Sequence, residues 1–191
     1  MAHVTIIGTG NMGQAIASVV AQGGSAVELL HQSDADKRIT GEIVVLAVPY
    51  PAVADIVGTR GDQLAGKVVV DITNPLSFET FDSLVVPADG SAAAEIAAAL
   101  PQSRVLKAFS TTFAGTLASG TIGGLPTTVL IAGDDADAKS LLAGIVTAGG
   151  LRAVDAGSLK RARELEALGF LQISLAAAEK VSWVGGFGVA A

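Results

Sequence analysis

The 191-residue sequence predicts an α/β fold in which helices cover both faces of a doubly wound, mostly parallel sheet. Short runs rich in Val and Ile alternate along the chain with longer, Ala-rich stretches of helical period. The Val/Ile runs, such as Ile43–Val48, are continuously apolar, as in strands that are buried on both faces. The alternation of such strands with helices is typical of parallel sheets built from strand–helix–strand units.

Each element follows from its local pattern. In chain order we predict strand Val4–Gly8, helix Met12–Gln22, strand Val27–His31, strand Ile43–Val48, helix Pro51–Val57, strand Val68–Ile72, helix Ser91–Leu100, strand Val105–Ala108, strand Thr128–Ala132, helix Ala136–Thr147, strand Arg152–Val154 and helix Leu159–Val181. Pro51 favours a helix start because its missing N–H would be unbonded in a first turn. Residues 33–42 are short and polar, so one conventional helix–strand unit is reduced to a loop.

Composition limits the function classes. The length suits one domain, 1–191, in which we predict residues 120–191 to form a small C-terminal α/β extension. The net charge of −6 argues against a nucleic-acid binder. The absence of cysteine excludes disulfides, thiolate nucleophiles and cysteine-bound metals, and no metal site is predicted. Without a basic leader or an apolar run of about 20 residues, we expect a cytoplasmic protein outside the membrane.

A glycine-rich turn follows the first predicted strand and opens the first predicted helix. Its spacing, G-x-G-x-x-G, is the fingerprint of dinucleotide-binding (Rossmann-like) domains when it stands in this strand–turn–helix context. The turn would present backbone amides at a helix N-terminus to a cofactor diphosphate. The predicted cofactor-binding residues here are Gly8, Thr9, Gly10, Asn11, Met12 and Gly13.

The end of the second strand predicts which nucleotide is used. An NAD site usually has an acidic residue there, which binds the ribose hydroxyls. In this chain Gln32 and Ser33 come first, then Asp34, with Lys37 close behind. We expect Ser33 and the two cations Lys37 and Arg38 to hold the 2′-phosphate of NADP, with Gln32 also among the cofactor-binding residues, whereas an Asp34 that bound ribose would indicate NAD.

The carboxyl ends of three further strands supply the rest of the predicted site, because ligands of open α/β sheets bind beyond these ends. The first group offers an apolar ledge to the nicotinamide, and the second contributes an amide. The third supplies hydroxyls beside an acceptor. The residues are Ala47, Val48 and Pro49; Asn74 and Pro75; and Ser110, Thr111, Thr112 and Phe113.

No histidine is placed to move a proton at the nicotinamide, since His3 precedes the first strand and His31 lies at the adenosine end. The remaining proton-donor candidates are Lys107 and Tyr50, although Lys107 equally suits a structural ion pair. A flavin-like acceptor manages its own proton, which favours hydride transfer between nicotinamide and such a ring. A small carbonyl or imine reductase and a non-catalytic NADP(H)-binding regulator remain alternatives.

These motifs together resemble the NADP-dependent oxidoreductases that act on the deazaflavin coenzyme F420. They are also similar to the cytosolic reductase domain of six-transmembrane ferric reductases, with which they share Lys-Ala-Phe at 107–109 and a pattern over 155–166. The residues of that pattern are Asp155, Gly157, Leu159, Ala162, Arg163 and Glu166. The resemblance implies an NADP-binding fold, hydride transfer to a small-molecule deazaflavin or flavin acceptor, and a homodimer. Asp34 departs from the Ser-Arg pair that the family commonly places after its second strand.

The last predicted helix carries apolar residues on more than one side. One stripe consists of Leu165, Leu168, Leu171, Leu175 and Ala178. A surface helix would show one stripe only, so we expect burial against both the domain and a second subunit. Gly169 would suit a point where another backbone approaches closely.

Overall fold

The structure is a computed structural model that describes residues 2–31 and 33–190 of the chain. Its strands are β1 His3–Ile7, β2 Ala26–Leu30, β3 Ile43–Leu46, β4 Val68–Asp71, β5 Arg104–Lys107, β6 Thr121–Ile122, β7 Leu125–Pro126, β8 Thr128–Gly133 and β9 Arg152–Gly157. Its α-helices are α1 Asn11–Gln22, α2 Val53–Leu64, α3 Ala92–Ala99, α4 Ala114–Ser119, α5 Ala136–Ala148 and α6 Ala162–Ala177. Single 3₁₀ turns, Tyr50–Ala52 and Leu159–Arg161, lead into α2 and α6.

Seven strands form one sheet in the order β2-β1-β3-β4-β5-β8-β9. The strands from β2 to β5 are all parallel, β8 runs antiparallel to β5, and β9 is parallel to β8. The strand order reverses between β1 and β3, which is where open α/β sheets bind ligands. The predicted Rossmann-like fold class is confirmed.

The core lies on both faces of this sheet. Neighbouring strand residues point to opposite faces, so Ile6 packs in the cluster that contains α1 and α5, whereas Ile7 packs in the cluster that contains α2 and α3. All four residues of β3 are buried. The continuous apolar runs of the sequence therefore have the predicted cause.

Several element bounds differ from the sequence prediction. Helix α2 continues through Gly58 and Gly61 to Leu64, beyond the predicted end at Val57, because its buried apolar side chains Val53 and Leu64 pack in the core on the sheet. Helix α4 and the β6–β7 hairpin were not predicted, since six- and two-residue elements show no measurable periodicity. Residues 33–42 contain no helix or strand, as the short polar segment predicted.

Helix α6 begins later and ends earlier than predicted, and a different face is buried. The buried residues are Ala162, Leu165, Glu166, Gly169, Gln172 and Ala176. Leu171 of the predicted stripe is 48% exposed in the single chain, so it does not pack against the domain. On the buried face of α6, some positions are occupied by polar side chains that have hydrogen-bond partners inside the fold. Hydrophobic periodicity does not detect such buried polar residues. None of the helices in residues 2–31 and 33–190 combines the length and apolar character that crossing a bilayer requires.

Candidate functional site

The glycine-rich turn is packed tightly against the end of β3. Gly8 adopts a φ of +117°, a region that L side chains rarely adopt, and its N–H donates to the Leu30 carbonyl at 2.9 Å. A Cβ on Gly8 would lie 2.1 Å from the Ala47 carbonyl oxygen, and one on Gly13 would lie 2.1 Å from the Gly8 oxygen. Both positions therefore require glycine, and the turn fixes where α1 begins.

The N-terminus of α1 is open to an anion. Gly10 is its N-cap, with no side-chain capping bond, and the first turn carries no acidic residue. A Cβ on Gly10 would meet nothing within 4 Å, so the space above the turn is free for a ligand to approach the backbone. The amides of Asn11 and Met12 stand in this first turn, where the helix dipole favours negative charge. These features fit a dinucleotide diphosphate.

A cavity of about 530 Å³ adjoins this turn, and we call it the glycine-turn cavity. It is lined by Ile7, Gly8, Thr9, Gly10, Leu30, His31, Ala35, Ala47, Val48, Pro49, Ala52, Asp55, Ile56, Thr59 and Arg60. Six of the predicted cofactor-binding residues are among them. Ser33 and Lys37 are not, and Gln32 lies outside the described residues. The residues that α2 contributes to this cavity were not predicted, because no pattern in the sequence indicates which face of the helix lies against the glycine-rich turn.

The loop after β2 satisfies its own polar groups. The His31 N–H donates to Asp34 Oδ2 at 2.9 Å, and Lys37 Nζ lies 3.1 Å from Asp34 Oδ1. The hydrogen bond from the His31 amide lowers the pKa of Asp34, and the Lys37 ammonium lowers it further. The Ser33 N–H and hydroxyl lie 3.2 and 3.1 Å from His31 Nδ1. Asp34 is thus engaged within its own turn.

A second cavity, of about 270 Å³, opens at the ends of β4 and β5, and we call it the aromatic cavity. It is lined by Met12, Ile72, Asn74, Phe78, Phe81, Phe109, Ser110, Thr112, Phe113, Ile173 and Trp183. All of these residues are uncharged, and five of them belong to the chain's eight aromatic residues. The ring centroids of Phe113 and Trp183 are 5.0 Å apart, and those of Phe78 and Phe81 are 5.8 Å apart.

The backbone is strained at two of these phenylalanines. Phe81 and Phe109 have φ values of 54° and 62°, and they lie in the left-handed region that non-glycine residues rarely occupy. Such strain costs about 1–3 kcal/mol and is concentrated at functional sites. The aromatic cavity is therefore a stronger candidate for chemistry than its size alone suggests.

Five of the predicted residues line the aromatic cavity: Met12, Asn74, Ser110, Thr112 and Phe113. Pro75 and Thr111 do not; the Pro75 carbonyl instead accepts a hydrogen bond from Val85 at 2.7 Å. Six lining residues were not predicted as site residues: Ile72, Phe78, Phe81, Phe109, Ile173 and Trp183. For most of them the sequence does contain a signal, because the few aromatic residues of the chain cluster in segments without helical or strand periodicity.

Helix α6 approaches the aromatic cavity through a glycine. A Cβ on Gly169 would lie 2.3 Å from Asn74 Oδ1 and 2.5 Å from the Ser110 carbonyl oxygen. Asn74 Nδ2 donates to that same carbonyl at 2.9 Å. Ser110 Oγ, Asn74 Oδ1 and Thr73 Oγ1 are buried without a hydrogen-bond partner among the described residues. An unpaired buried polar group costs about 1–3 kcal/mol, so Ser110 is free to serve a bound ligand.

Lys107 does not reach either cavity. Its side chain is fully buried, and Nζ lies 2.7 Å from Asp71 Oδ2, 2.9 Å from Glu166 Oε1 and 2.5 Å from the Thr73 carbonyl. These three acceptors match its three N–H donors. The geometry is that of a structural ion pair, the alternative that the sequence left open.

Glu166 extends this buried cluster to α3. Its carboxylate accepts the N–H groups of Ala92 and Ala93 at 2.9 and 3.2 Å, in the first turn of α3. Burial raises the pKa of Glu166, an effect that Lys107 opposes. One carboxylate therefore joins α6, α3 and β5.

Tyr50 faces a separate groove of about 390 Å³ between α2 and α3. Its hydroxyl donates to Glu95, and burial together with this carboxylate raises the Tyr50 pKa to about 12. Neither the glycine-turn cavity nor the aromatic cavity is lined by Tyr50.

The tail after α6 folds back over its own chain. A Cβ on Gly115 would meet Val184 at 2.6 Å, and the Phe187 N–H donates to Gln172 Oε1 at 3.1 Å. Arg152 Nη1 donates to the Val189 carbonyl at 3.3 Å. Trp183 is thereby held beside Phe113 at the aromatic cavity.

Comparison with known proteins identifies relatives of this chain. A family described as "NADP oxidoreductase coenzyme F420-dependent" matches residues 26–75. The F420-dependent NADP reductases of Methanocaldococcus jannaschii and Methanothermobacter marburgensis are 29% and 33% identical, over 82% and 75% of this chain and 72% and 66% of theirs. The metalloreductase STEAP3 of Rattus norvegicus is 32% identical over 86% of the chain, which spans only 36% of that protein.

A solved structure from Arthrobacter sp. FB24, provisionally described as an F420-dependent NADP reductase, superposes with a TM-score of 0.84. The match covers 98% of this chain and 99% of that one at 25% identity. Sequence and structure comparisons thus agree with the motifs read from the sequence. The chain belongs to the coenzyme F420-dependent NADP oxidoreductase family and is an NAD(P)-dependent oxidoreductase of Rossmann-like fold.

Proposed function

We propose that this protein transfers hydride between NADP(H) and a planar deazaflavin or flavin ring. The nucleotide diphosphate binds the amides of Asn11 and Met12, and its adenosine occupies the glycine-turn cavity. The nicotinamide lies at the strand ends between the cavities, and the acceptor ring enters the aromatic cavity. The chain acts as one domain whose residues 120–191 complete the acceptor site.

The observation that carries this proposal is that a single turn serves both cavities. Gly10 lines the glycine-turn cavity, and Met12 lines the aromatic cavity. The cavities open at the carboxyl ends of adjacent parallel strands, β1, β3, β4 and β5. A nucleotide held on the turn therefore extends its nicotinamide toward the aromatic cavity, where positioning alone supplies much of the rate.

The uncharged aromatic lining supports a flat, apolar acceptor ring. Trp183 and Phe113 offer ring faces for stacking, while the unpaired Ser110 hydroxyl supplies a polar contact to a ring substituent. The nicotinamide supplies hydride, and the acceptor ring takes the accompanying proton from water on its own heteroatom. Two relatives are named F420-dependent NADP reductases, and these names favour the deazaflavin F420 as the acceptor ring.

The positions of Lys107 and Tyr50 favour this chemistry over carbonyl or imine reduction. Those reactions use a side chain that moves a proton at the substrate. The Lys107 ammonium is saturated by buried acceptors, and the Tyr50 hydroxyl is directed to Glu95 in another groove. Hydride transfer between two rings uses neither group.

Steady-state oxidation of NADPH with F420, FMN and riboflavin as acceptors tests the proposal. We expect NADPH consumption, followed at 340 nm, to equal acceptor reduction in a one-to-one ratio. A Gly10→Val variant should lose turnover, because its side chain would occupy the space above the turn. Gly144→Val is the matched control, since a Cβ at Gly144 also meets nothing within 4 Å and Gly144 is not among the positive-φ glycines. Nucleotide binding without turnover for any of these acceptors would overturn the proposal.

A further inference from the structure

Arg60 is a cation at the glycine-turn cavity that the sequence analysis did not select. It stands in α2, is only 8% exposed, and lines the cavity together with His31 and Gly10. Arginine is rarely buried unless its charge meets a partner. No carboxylate forms a salt bridge with Arg60 among the described residues. Its charge is thus available to a ligand.

The guanidinium holds the loop after β2 by two backbone contacts. Nη1 donates to the Lys37 carbonyl at 3.3 Å, and Nη2 donates to the Asp34 carbonyl. A guanidinium has five N–H donors, so three have no protein partner within residues 2–31 and 33–190. Arg60 is therefore fixed at the carboxyl end of β2, where the adenosine ribose binds in dinucleotide folds.

Two charged groups of this loop pair with each other. Lys37 forms an ion pair with Asp34 at 3.1 Å, and the Ser33 hydroxyl contacts His31. Asp34 accepts the His31 N–H on Oδ2 and faces Lys37 with Oδ1, so each of its carboxylate oxygens already has a partner. The other charged lining residue, Asp55, precedes Arg60 by five residues, or about 7.5 Å along the helix.

We propose that Arg60 determines the nucleotide specificity of this protein by binding the 2′-phosphate of NADP(H) through its free guanidinium donors. The inference rests on the proposed function, in which adenosine occupies the glycine-turn cavity. A planar guanidinium suits a phosphate because two N–H groups meet two oxygens at once. The loop carbonyls orient the guanidinium. Asp34 does not repel the phosphate, because the Lys37 ammonium offsets the charge of its carboxylate.

Calorimetric titration of NADP⁺ and NAD⁺ into wild type and Arg60→Met tests the inference. Loss of one or two charge-assisted hydrogen bonds predicts a roughly 10- to 100-fold higher Kd for NADP⁺. The Kd for NAD⁺, which has no 2′-phosphate, should change less than about threefold. Arg104→Met is the matched control: it also removes a guanidinium that donates to a backbone carbonyl, Gly66 at 3.4 Å, but lies outside the cavity.

Equal losses for both nucleotides would overturn the inference, since they would mean that Arg60 only holds the loop; so would no loss for either. If Arg60→Met does not fold, Arg60→Lys keeps the charge without the planar fork, and its loss should again be confined to NADP⁺. Failure of the wild type to bind either nucleotide would instead refute the proposed function, so the two outcomes are distinguishable.

Discussion

Single glycines determine how closely the elements meet at the candidate site. Gly8 permits the left-handed turn under the diphosphate position, and Gly169 allows α6 to touch Asn74. The effect of replacing a glycine on stability depends on which atoms the new Cβ would meet. Substitutions at different glycines of this chain are therefore expected to have opposite effects.

Gly169→Ala should destabilise the protein by about 1–3 kcal/mol, because its methyl group would overlap Asn74 Oδ1 and the Ser110 carbonyl. Gly144→Ala is the control, since Gly144 is also within a helix but a Cβ there meets nothing within 4 Å. It should stabilise by up to about 1 kcal/mol through helix propensity. Urea unfolding measures both; the same sign for the two changes would contradict the described packing of α6.

Tyr50 is the chain's only tyrosine, so a spectrophotometric titration reports on it alone. We expect phenolate absorbance at 295 nm to rise with a midpoint near 12 in the native protein, against about 10 in urea. Because the folded state holds this proton more tightly, stability should fall as the pH rises above about 10. Glu95→Gln should lower the midpoint. A native midpoint near 10, with circular dichroism retained, would contradict the Tyr50–Glu95 contact.

At the scale of elements, the buried cluster of Lys107, Asp71 and Glu166 connects β4 and β5 to α6 and to the first turn of α3. The same α6 carries Gly169 against Asn74. The cluster thus holds the helix that forms one wall of the aromatic cavity, without contacting the ligand position itself.

Lys107→Met should destabilise the protein by about 3–5 kcal/mol, because it leaves two buried carboxylates without their cation. Lys139→Met removes the more exposed pair of Lys139 with Asp155, which are 2.8 Å apart, and should cost less than about 1 kcal/mol. Denaturant unfolding of both variants measures the difference. Comparable small losses would show that the cluster is not holding these elements together.

The sequence predicted those elements whose cause is local. Gly8 and Gly10 form a turn with a fixed spacing, and the β3 strand is a continuous apolar run, so both were found in place. The burial of Glu166 depends on Lys107 and on the start of α3, which are distant along the chain, and no periodicity encodes it. Phe81 and Trp183 reach the aromatic cavity through irregular segments whose path is set only by tertiary contacts.

At the scale of the whole molecule, apolar side chains remain on the surface of α6 and the tail. Leu171 is 48% exposed and Val184 is 67% exposed. The resemblance to reductases of this family led us to expect a homodimer, and this surface is our proposal for the contact. Large exposed apolar side chains of this kind are candidate association contacts.

Sedimentation equilibrium should give twice the 19.0 kDa chain mass for the wild type. Leu171→Arg should shift it toward the monomer, because a charge is costly to bury at an apolar contact. The control for Leu171→Arg is Leu125→Arg, which introduces the same charge at an exposed leucine of the β6–β7 hairpin. A monomeric wild type at assay concentrations would contradict the proposed association.

We propose that one glycine-rich turn delivers the nicotinamide to an acceptor ring in the aromatic cavity. A crystal structure with NADP⁺ and a deazaflavin bound together tests it most directly. We predict the diphosphate within hydrogen-bond distance of the amides of Asn11 and Met12, and the acceptor ring against Phe113 and Trp183. A diphosphate bound away from that helix end, or an acceptor ring outside the aromatic cavity, would contradict the account.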